Sequence, residues 1–195
     1  MRQFYAFAAA AMLALSATMA WAHTGELAGG GVFTGFLHPI FGWDHVAAML
    51  AVGLWGAFLG TPAIWILPVA FPLVMVFGGA LGVLGVPFPA VEAGIAASAV
   101  CIGLAVALAL RPPLAIAAAM VAFFALFHGY AHGQETPQAA SPIAFAAGFV
   151  IATGLLHLCG IAFGLLARSR AGAVVVRVLG GMIALAGLGF LTNAI

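Results

Sequence analysis

The segment FLHPIFGWDHV, residues 36–46, holds three side chains that could bind a metal ion in an otherwise almost wholly apolar run. His38 and His45 are seven residues apart and would share one face of a helix, whereas Asp44 would lie about 100° around it. Imidazole nitrogens and carboxylate oxygens are ligands that suit Ni²⁺, Co²⁺ or Zn²⁺. We therefore expect either a helix break at the proline and glycine of residues 39–42 that turns Asp44 inward, or an Asp44 that accepts a hydrogen bond from a metal-binding imidazole.

The segment FHGYAHGQE, residues 127–135, carries the same ligand types at a spacing that fits a regular helix. His128 and His132 are four residues apart and Glu135 follows three residues later, so all three would share one face. Two imidazoles at this spacing with a carboxylate form a recurrent chelating arrangement for divalent transition ions. None of the seven methionines lies in either segment, which argues against a copper(I) path.

The composition is that of a membrane protein. Of the 195 residues, 66% are hydrophobic and 5% are charged, whereas soluble domains have roughly 25% charged residues. Five arginines and no lysine leave no basic surface for nucleic acid, so nucleic-acid binding is excluded. The 26 glycines suit close approach of helices in lipid. The two cysteines, Cys101 and Cys159, lie in apolar runs and are interpreted as small buried hydrophobes rather than metal ligands.

Residues 1–22 have the pattern of a cleaved secretory signal peptide. Arg2 is followed by an apolar stretch and then by the small-x-small sequence AWA. This pattern predicts a mature chain of residues 23–195 that begins at His23. An uncleaved first membrane helix is the alternative, although the apolar core is short for one. A free amine beside the His23 imidazole could also chelate a divalent ion at the periplasmic mouth.

Six apolar segments of about the length needed to cross a bilayer follow, separated by turn signals. Only helices satisfy their backbone hydrogen bonds within one segment in lipid, and the alternation typical of barrel strands is absent. We therefore expect an all-α membrane protein with six transmembrane helices. If the chain arose by duplication, each half would have three helices, and this odd number would give the two halves opposite orientations in the membrane, as in an inverted 3+3 repeat. The two halves are only weakly similar in sequence, so such a repeat remains open. The expected spans are residues 33–58, 62–85, 90–110, 112–133, 142–166 and 173–194.

The distribution of charge predicts an orientation. If the signal peptide is cleaved outside, the third-to-fourth and fifth-to-sixth connections face the cytoplasm. These connections carry Arg111, Arg168 and Arg170, while the outside segments carry acidic residues and no basic one. The positive-inside rule therefore agrees with the signal peptide. Both termini of the mature chain are therefore expected outside, in the periplasm.

In this topology, ionisable side chains from three helices converge on the outer half of the membrane. Such groups are costly in lipid and normally face a bundle interior, so their convergence predicts a metal-ion site or path. His157 lies deeper in the fifth span and is a candidate for a later step of that path, or else a structural histidine bonded to a backbone carbonyl. The expected metal-site residues are His38, Asp44, His45, Glu92, His128, His132 and Glu135, with His23 and His157 as further candidates.

These residues resemble the motifs of the HupE/UreJ family of bacterial nickel permeases, whose members have a signal peptide and six membrane helices. The family motif HPxxGxDH is matched by residues 38–45, and FHGxAHGxE is matched by residues 127–135, both without departure. The likeness covers essentially the whole mature chain. It implies a transport domain at residues 23–195 that takes up Ni²⁺, or Co²⁺ in some relatives, for enzymes such as hydrogenase or urease. It also matches Glu92 to an acidic residue near the start of the family's third helix.

The expected function is therefore transport rather than catalysis. No P-loop pattern is present, so transport must use an ion gradient, the membrane potential or an outside partner. The metal ion is the expected substrate, no prosthetic group is expected, and the bilayer is the expected surroundings, with a homo-oligomer left open. An intramembrane metal-dependent hydrolase is the alternative function, although an HExxH motif is absent. A bis-histidine haem protein is a further alternative, which a Soret band would reveal.

Overall fold

The computed structural model describes residues 31–135 and 141–193. These residues are helical and include no strand, which confirms the all-α class for the described part of the chain. The signal-peptide prediction for residues 1–22 and the prediction for His23 lie outside it. The helices are α1 (Val32–Phe41), α2 (Trp43–Leu59), α3 (Ala63–Val83), α4 (Val91–Ala107), α5 (Leu114–Glu135), α6 (Pro142–Gly164), a 3-10 turn (Leu165–Arg168) and α7 (Arg170–Asn193).

The first expected span is broken at Gly42, where α1 and α2 meet at an angle of 84°. Gly42 has φ −84° and ψ 99°, an extended rather than a helical conformation. Pro39 inside α1 weakens the helix just before this point because proline has no amide hydrogen to donate. The break expected within residues 39–42 is thus confirmed. It starts a new helix at Trp43, with Asp44 in its first turn.

Four helices are long and apolar enough to cross a membrane: α3, α5, α6 with its 3-10 extension, and α7. The bent pair of α1 and α2 raises the number to five if it counts as one span, while α4, with 17 residues, is shorter. Many large apolar side chains lie on the outer surface, as expected in lipid, among them Phe33, Leu73, Phe77 and Leu185. The described chain therefore fits a multi-pass membrane protein, and the count of six spans stays a prediction.

α3 and α5 form a tightly packed pair that runs in the same direction. A Cβ atom on Gly133 would overlap the carbonyl oxygen of Gly79, and one on Gly129 would overlap the carbonyl oxygen of Met75. Because 75 pairs with 129 and 79 with 133, the two helices are parallel. Glycine is required at these positions since only a residue without a side chain lets the backbones approach so closely.

Two further helix pairs also pack closely at glycines. The bent pair of α1 and α2 lies parallel to α6, and α4 lies antiparallel to α7. The first span thus packs on the fifth as the second packs on the fourth, an arrangement that an inverted 3+3 repeat would give, although the repeat stays a prediction. The close approaches that define these directions are Gly35 to Phe145 and Gly53 to Gly160 in one pair, and Gly103 to Ala184 and Gly187 to Val100 in the other.

The arginine-rich connections lie at the end of the bundle away from Asp44 and His45. The Arg111 guanidinium lies 4.4 Å from the ring centre of Phe58, near the last residue of α2. The Nε–H of Arg177 donates to the carbonyl oxygen of Ala107, the last residue of α4, at 2.8 Å. The helices therefore separate the basic residues from the histidine motifs by nearly the length of α2.

Candidate metal-ion site

Side chains from the two motifs meet where α1 lies beside the C-terminal end of α5. The Nε2–H of His38 donates to Oε2 of Glu135 at 2.9 Å, and Nδ1 of His132 lies 3.6 Å from the same oxygen. One ligand atom from each of these three residues lies within 4.8 Å of the other two. His132 is almost fully buried, with 8% of its side chain exposed, while Glu135 keeps 48% exposed. We call His38, His132 and Glu135 the outer cluster, which is open enough to receive an ion from solvent.

Aromatic rings of α6 line the inner side of the outer cluster. The ring centre of His38 lies 5.6 Å from that of Phe145, and the ring centre of His132 lies 4.2 Å from that of Phe149. A cavity of about 200 Å³ between α3, α5 and α6 includes His132 and both phenylalanines in its lining. The other lining residues are mostly apolar, and Val76 and Val83 among them are exposed on the outer surface of the bundle, so this cavity opens toward the lipid.

Asp44 and His45 form a bonded pair at the start of α2. The carboxylate oxygen Oδ1 of Asp44 accepts the Nδ1–H of the His45 ring at 2.7 Å and the His45 backbone N–H at 2.8 Å. A Cβ atom on Gly42 would lie 2.9 Å from that ring nitrogen, so the glycine leaves room for the pair. Since the carboxylate holds the proton on Nδ1, the lone pair of a neutral His45 is on Nε2, which is buried without a hydrogen-bond partner. Asp44 thus takes the place expected of a residue that orients a metal-binding imidazole.

A serine on α4 fixes the ring of His128 in a comparable way. The single hydroxyl hydrogen of Ser98 is donated to the carbonyl oxygen of Ile95 at 2.6 Å. The Ser98 oxygen must then accept from His128, whose Nε2 lies 2.9 Å away. A neutral His128 therefore carries its proton on Nε2 and its lone pair on Nδ1, which is buried without a hydrogen-bond partner. Both His45 and His128 present a bare nitrogen of the kind that binds transition ions.

The imidazoles form a continuous series from the outer cluster inward. The ring centre of His45 lies 4.4 Å from that of His132 and 4.9 Å from that of His128. His132 in turn lies 4.9 Å from His38. Side chains that are about ninety residues apart in the sequence thus form one polar core inside an apolar bundle. This arrangement could pass a cation between neighbouring sites.

Two other expected site residues lie apart from this series. Glu92 is exposed in the first turn of α4 and forms no hydrogen bond with the described residues. His157 is buried in α6, with its ring centre 5.5 Å from that of Phe71, and makes no contact with the outer cluster. The expected bond from His157 to a backbone carbonyl is absent among the described residues, since both of its ring nitrogens lack a partner.

Three polar or aromatic residues near the histidines were not predicted from the sequence: Ser98 beside His128, Phe149 beside His132, and Thr153 one turn before His157 on α6. A signal existed for Thr153, which lies four residues before His157 and therefore on nearly the same helical face. No comparable signal existed for Ser98, because its contact with His128 depends on how α4 packs against α5. Phe149 looks like any other apolar residue of a membrane helix until its ring is placed against His132.

Comparisons with known proteins agree with the motifs. The family described as HupE / UreJ protein matches residues 10–190. The chain is 45% identical over 176 residues to Protein HupE of Rhizobium leguminosarum bv. viciae, which covers 90% of this chain and 92% of that protein. No solved structure matches the chain. A match of this extent, together with both intact motifs, shows that the chain belongs to the HupE/UreJ family.

Proposed function

We propose that the protein is a bacterial inner-membrane permease that imports Ni²⁺, or Co²⁺, from the periplasm for a metal enzyme such as hydrogenase or urease. The observation that carries this proposal is the outer cluster, in which His38, His132 and Glu135 each offer a ligand atom within 4.8 Å of the others. Its mixed nitrogen and oxygen ligands suit these ions. Membership of the family favours transport over the intramembrane hydrolase.

The proposed route begins at the exposed carboxylate of Glu135 and continues through the buried imidazoles. The negative charge attracts a cation, and the partial exposure of His38 and Glu135 lets the ion exchange its waters for protein ligands gradually. His45 and His128 then offer neutral nitrogens farther inside. An ion that passes between several partial sites can leave each of them, whereas a single very tight site would retain it.

The membrane potential is sufficient as a driving force for this route. A potential that is negative inside favours entry of a divalent cation by about 4.6 kcal/mol per 100 mV, since each charge contributes about 2.3 kcal/mol. In the proposed orientation, the motifs lie on the periplasmic side and the arginine-rich connections lie on the cytoplasmic side, as the positive-inside rule requires. Entry of the ion then follows the electrical gradient without an ATPase.

The test is accumulation of radiolabelled Ni²⁺ by cells that lack their own nickel importers. Cells producing the intact protein should accumulate the ion, and cells producing Asp44→Asn or His132→Ala at equal membrane levels should not. Competition by Co²⁺, Zn²⁺ and Cu²⁺ would rank the ions. The proposal is wrong if the intact protein accumulates none of the labelled ions, and the roles of the motifs are wrong if both variants accumulate Ni²⁺ normally.

A further inference from the structure

One face of α6 continues inward from the outer cluster. Phe145, Phe149, Thr153 and His157 follow one another at intervals of four residues, so their side chains form one slanted line on the helix surface that turns by about 40° at each step. All four are buried. The first two contact the rings of His38 and His132, as described above. The next two residues on this line are polar, and they lie one and two turns deeper.

Thr153 and His157 have polar atoms without partners in the middle of an apolar bundle. Their exposed fractions are 0% and 1%. Among the described residues, neither the Thr153 hydroxyl nor either ring nitrogen of His157 has a hydrogen-bond partner. A threonine in a membrane helix normally bonds to a carbonyl of the preceding turn, and buried polar groups are normally paired. Two unpaired groups one turn apart on the same face therefore point to a ligand that binds between them.

The depth of His157 makes it the next imidazole after His128. The ring of Phe71 contacts both, with ring centres 5.2 Å from His128 and 5.5 Å from His157. The backbone of His157 packs against Gly53, which lies eight residues beyond His45 along α2, or about 12 Å deeper at the standard helical rise. The series of imidazoles therefore extends from the solvent-facing Glu135 well into the half of the bundle where residues 31–135 and 141–193 include no acidic group.

We propose that Thr153 and His157 form an inner ion-binding position, which takes a divalent transition ion after it leaves His45 and His128. This proposal rests on the proposed function. The inner position offers imidazole nitrogen and hydroxyl oxygen but no negative charge, so it holds a divalent cation less tightly than the outer cluster does with Glu135. A weaker site beyond a stronger one lets the ion move on toward the cytoplasm.

The decisive variant is Thr153→Val, which keeps the shape of the side chain and removes only the hydroxyl. We expect it to lower the initial rate of Ni²⁺ uptake by about tenfold, the loss typical of removing a group that supports a metal site. Thermal unfolding of the purified variant should occur at the same or a higher temperature, because an unpaired buried hydroxyl destabilises the fold. Thr153→Ser should retain uptake. If Thr153→Val transported Ni²⁺ at the parent rate, or if its uptake fell only together with its thermal stability, the hydroxyl would not bind the ion and the proposal would be overturned.

A binding measurement separates this inference from the proposed function. Equilibrium dialysis of the purified protein in detergent with radiolabelled Ni²⁺ should give one ion fewer per chain for His157→Gln than for the parent. The adjacent variant Gly154→Ala is the matched control, because a Cβ atom there meets nothing within 4 Å, and it should bind like the parent. Equal stoichiometry in His157→Gln and the parent would overturn the inner position, whether or not the intact protein accumulates Ni²⁺ in cells.

Discussion

His38 and Glu135 are 97 residues apart in the sequence and are joined by a hydrogen bond of 2.9 Å between an imidazole and a carboxylate. This bond links the helix before the break at Gly42 to the last residue of α5. An arriving cation would replace this contact. Once the hydrogen on Nε2 of His38 is lost or moves to Nδ1, both Nε2 and the Glu135 carboxylate oxygen offer a lone pair to the metal. Two ligands of the outer cluster are therefore bonded to each other at a place that solvent can reach.

Removing the charge at this entrance should weaken ion binding. Glu135→Gln keeps the size of the side chain but replaces the carboxylate with an amide, which is a poor ligand for Ni²⁺. We expect the dissociation constant for Ni²⁺, measured by equilibrium dialysis, to rise by at least about tenfold. The control is Gln134→Ala, a change at the neighbouring exposed residue. This variant should bind Ni²⁺ with the same affinity as the parent. Unchanged affinity in Glu135→Gln would show that the carboxylate does not bind the ion.

Ser98 should act through the ring of His128 rather than on the ion directly. In Ser98→Ala the Nε2–H of His128 loses its acceptor, so the proton can move to Nδ1. Nδ1 then has no lone pair to offer to the ion. We expect Ni²⁺ uptake to fall by about 10- to 100-fold, as for other groups that orient a metal-binding histidine. Ser98→Thr should restore activity because it keeps the hydroxyl.

The readout specific to this role is the tautomer of His128, observed by nitrogen NMR of histidine-labelled protein. The parent and Ser98→Thr should show the proton on Nε2, and Ser98→Ala should show a mixture of the two forms. The positioning role is ruled out if Ser98→Ala loses uptake while its tautomer is the same as in the parent.

Glycine at the interface of α3 and α5 should be required for stability. In Gly133→Ala the new methyl group would overlap the carbonyl oxygen of Gly79, so the helices must separate, at a cost of about 1–3 kcal/mol. A lower temperature of thermal denaturation in detergent is the expected result. Gly181→Ala on α7 is the matched control, since its Cβ atom meets nothing within 4 Å. Equal losses in the two variants would mean that close helix approach is not the cause.

The proposed orientation can be tested with reporter fusions. Alkaline phosphatase, which is active only outside the cytoplasm, should be active when fused after residue 87 or residue 195 and inactive when fused after residue 111. Green fluorescent protein fused at the same points should give the opposite pattern, because it fluoresces when it folds in the cytoplasm. Activity of the phosphatase at residue 111 would contradict the six-span topology.

Much of the fold follows from hydrophobic segments and turn residues, but the length of one helix does not. The third apolar segment was expected at residues 90–110, whereas α4 ends at Ala107. Ala109 has a positive φ of 56°, which ends the helix before the arginine and prolines that follow. Alanine favours helices in general, so the left-handed conformation of Ala109 does not follow from its residue type, although the prolines at 112 and 113 indicate that a helix ends nearby. The N–H of Leu110 donates to the carbonyl oxygen of Ala105 at 2.8 Å, which closes the end of the helix two residues before Pro112.

In the candidate site, the spacing of residues in the sequence predicts some contacts, and the packing of the helices against each other decides the rest. The break near Gly42 and the shared face of His128 and His132 follow from residue type and helical period. Glu92 lies at the start of α4 as expected, but its side chain is exposed and forms no hydrogen bond with the described residues, so its role as a ligand stays a prediction. Which neighbour a side chain meets across a helix interface is decided by the rotation of two helices, and hydrophobic periodicity fixes that rotation only coarsely.

The glycine-packed helix pairs also divide the histidine series between two mechanical units. His38, Asp44 and His45 belong to the unit of α1, α2 and α6, while His128, His132 and Glu135 belong to the unit of α3 and α5. Within each unit the backbones are in close contact at glycines, and these contacts oppose sliding of one helix along the other. A rotation of one unit relative to the other would change the distances between the two sets of ligands. It would therefore change the number of side chains that can bind one ion together.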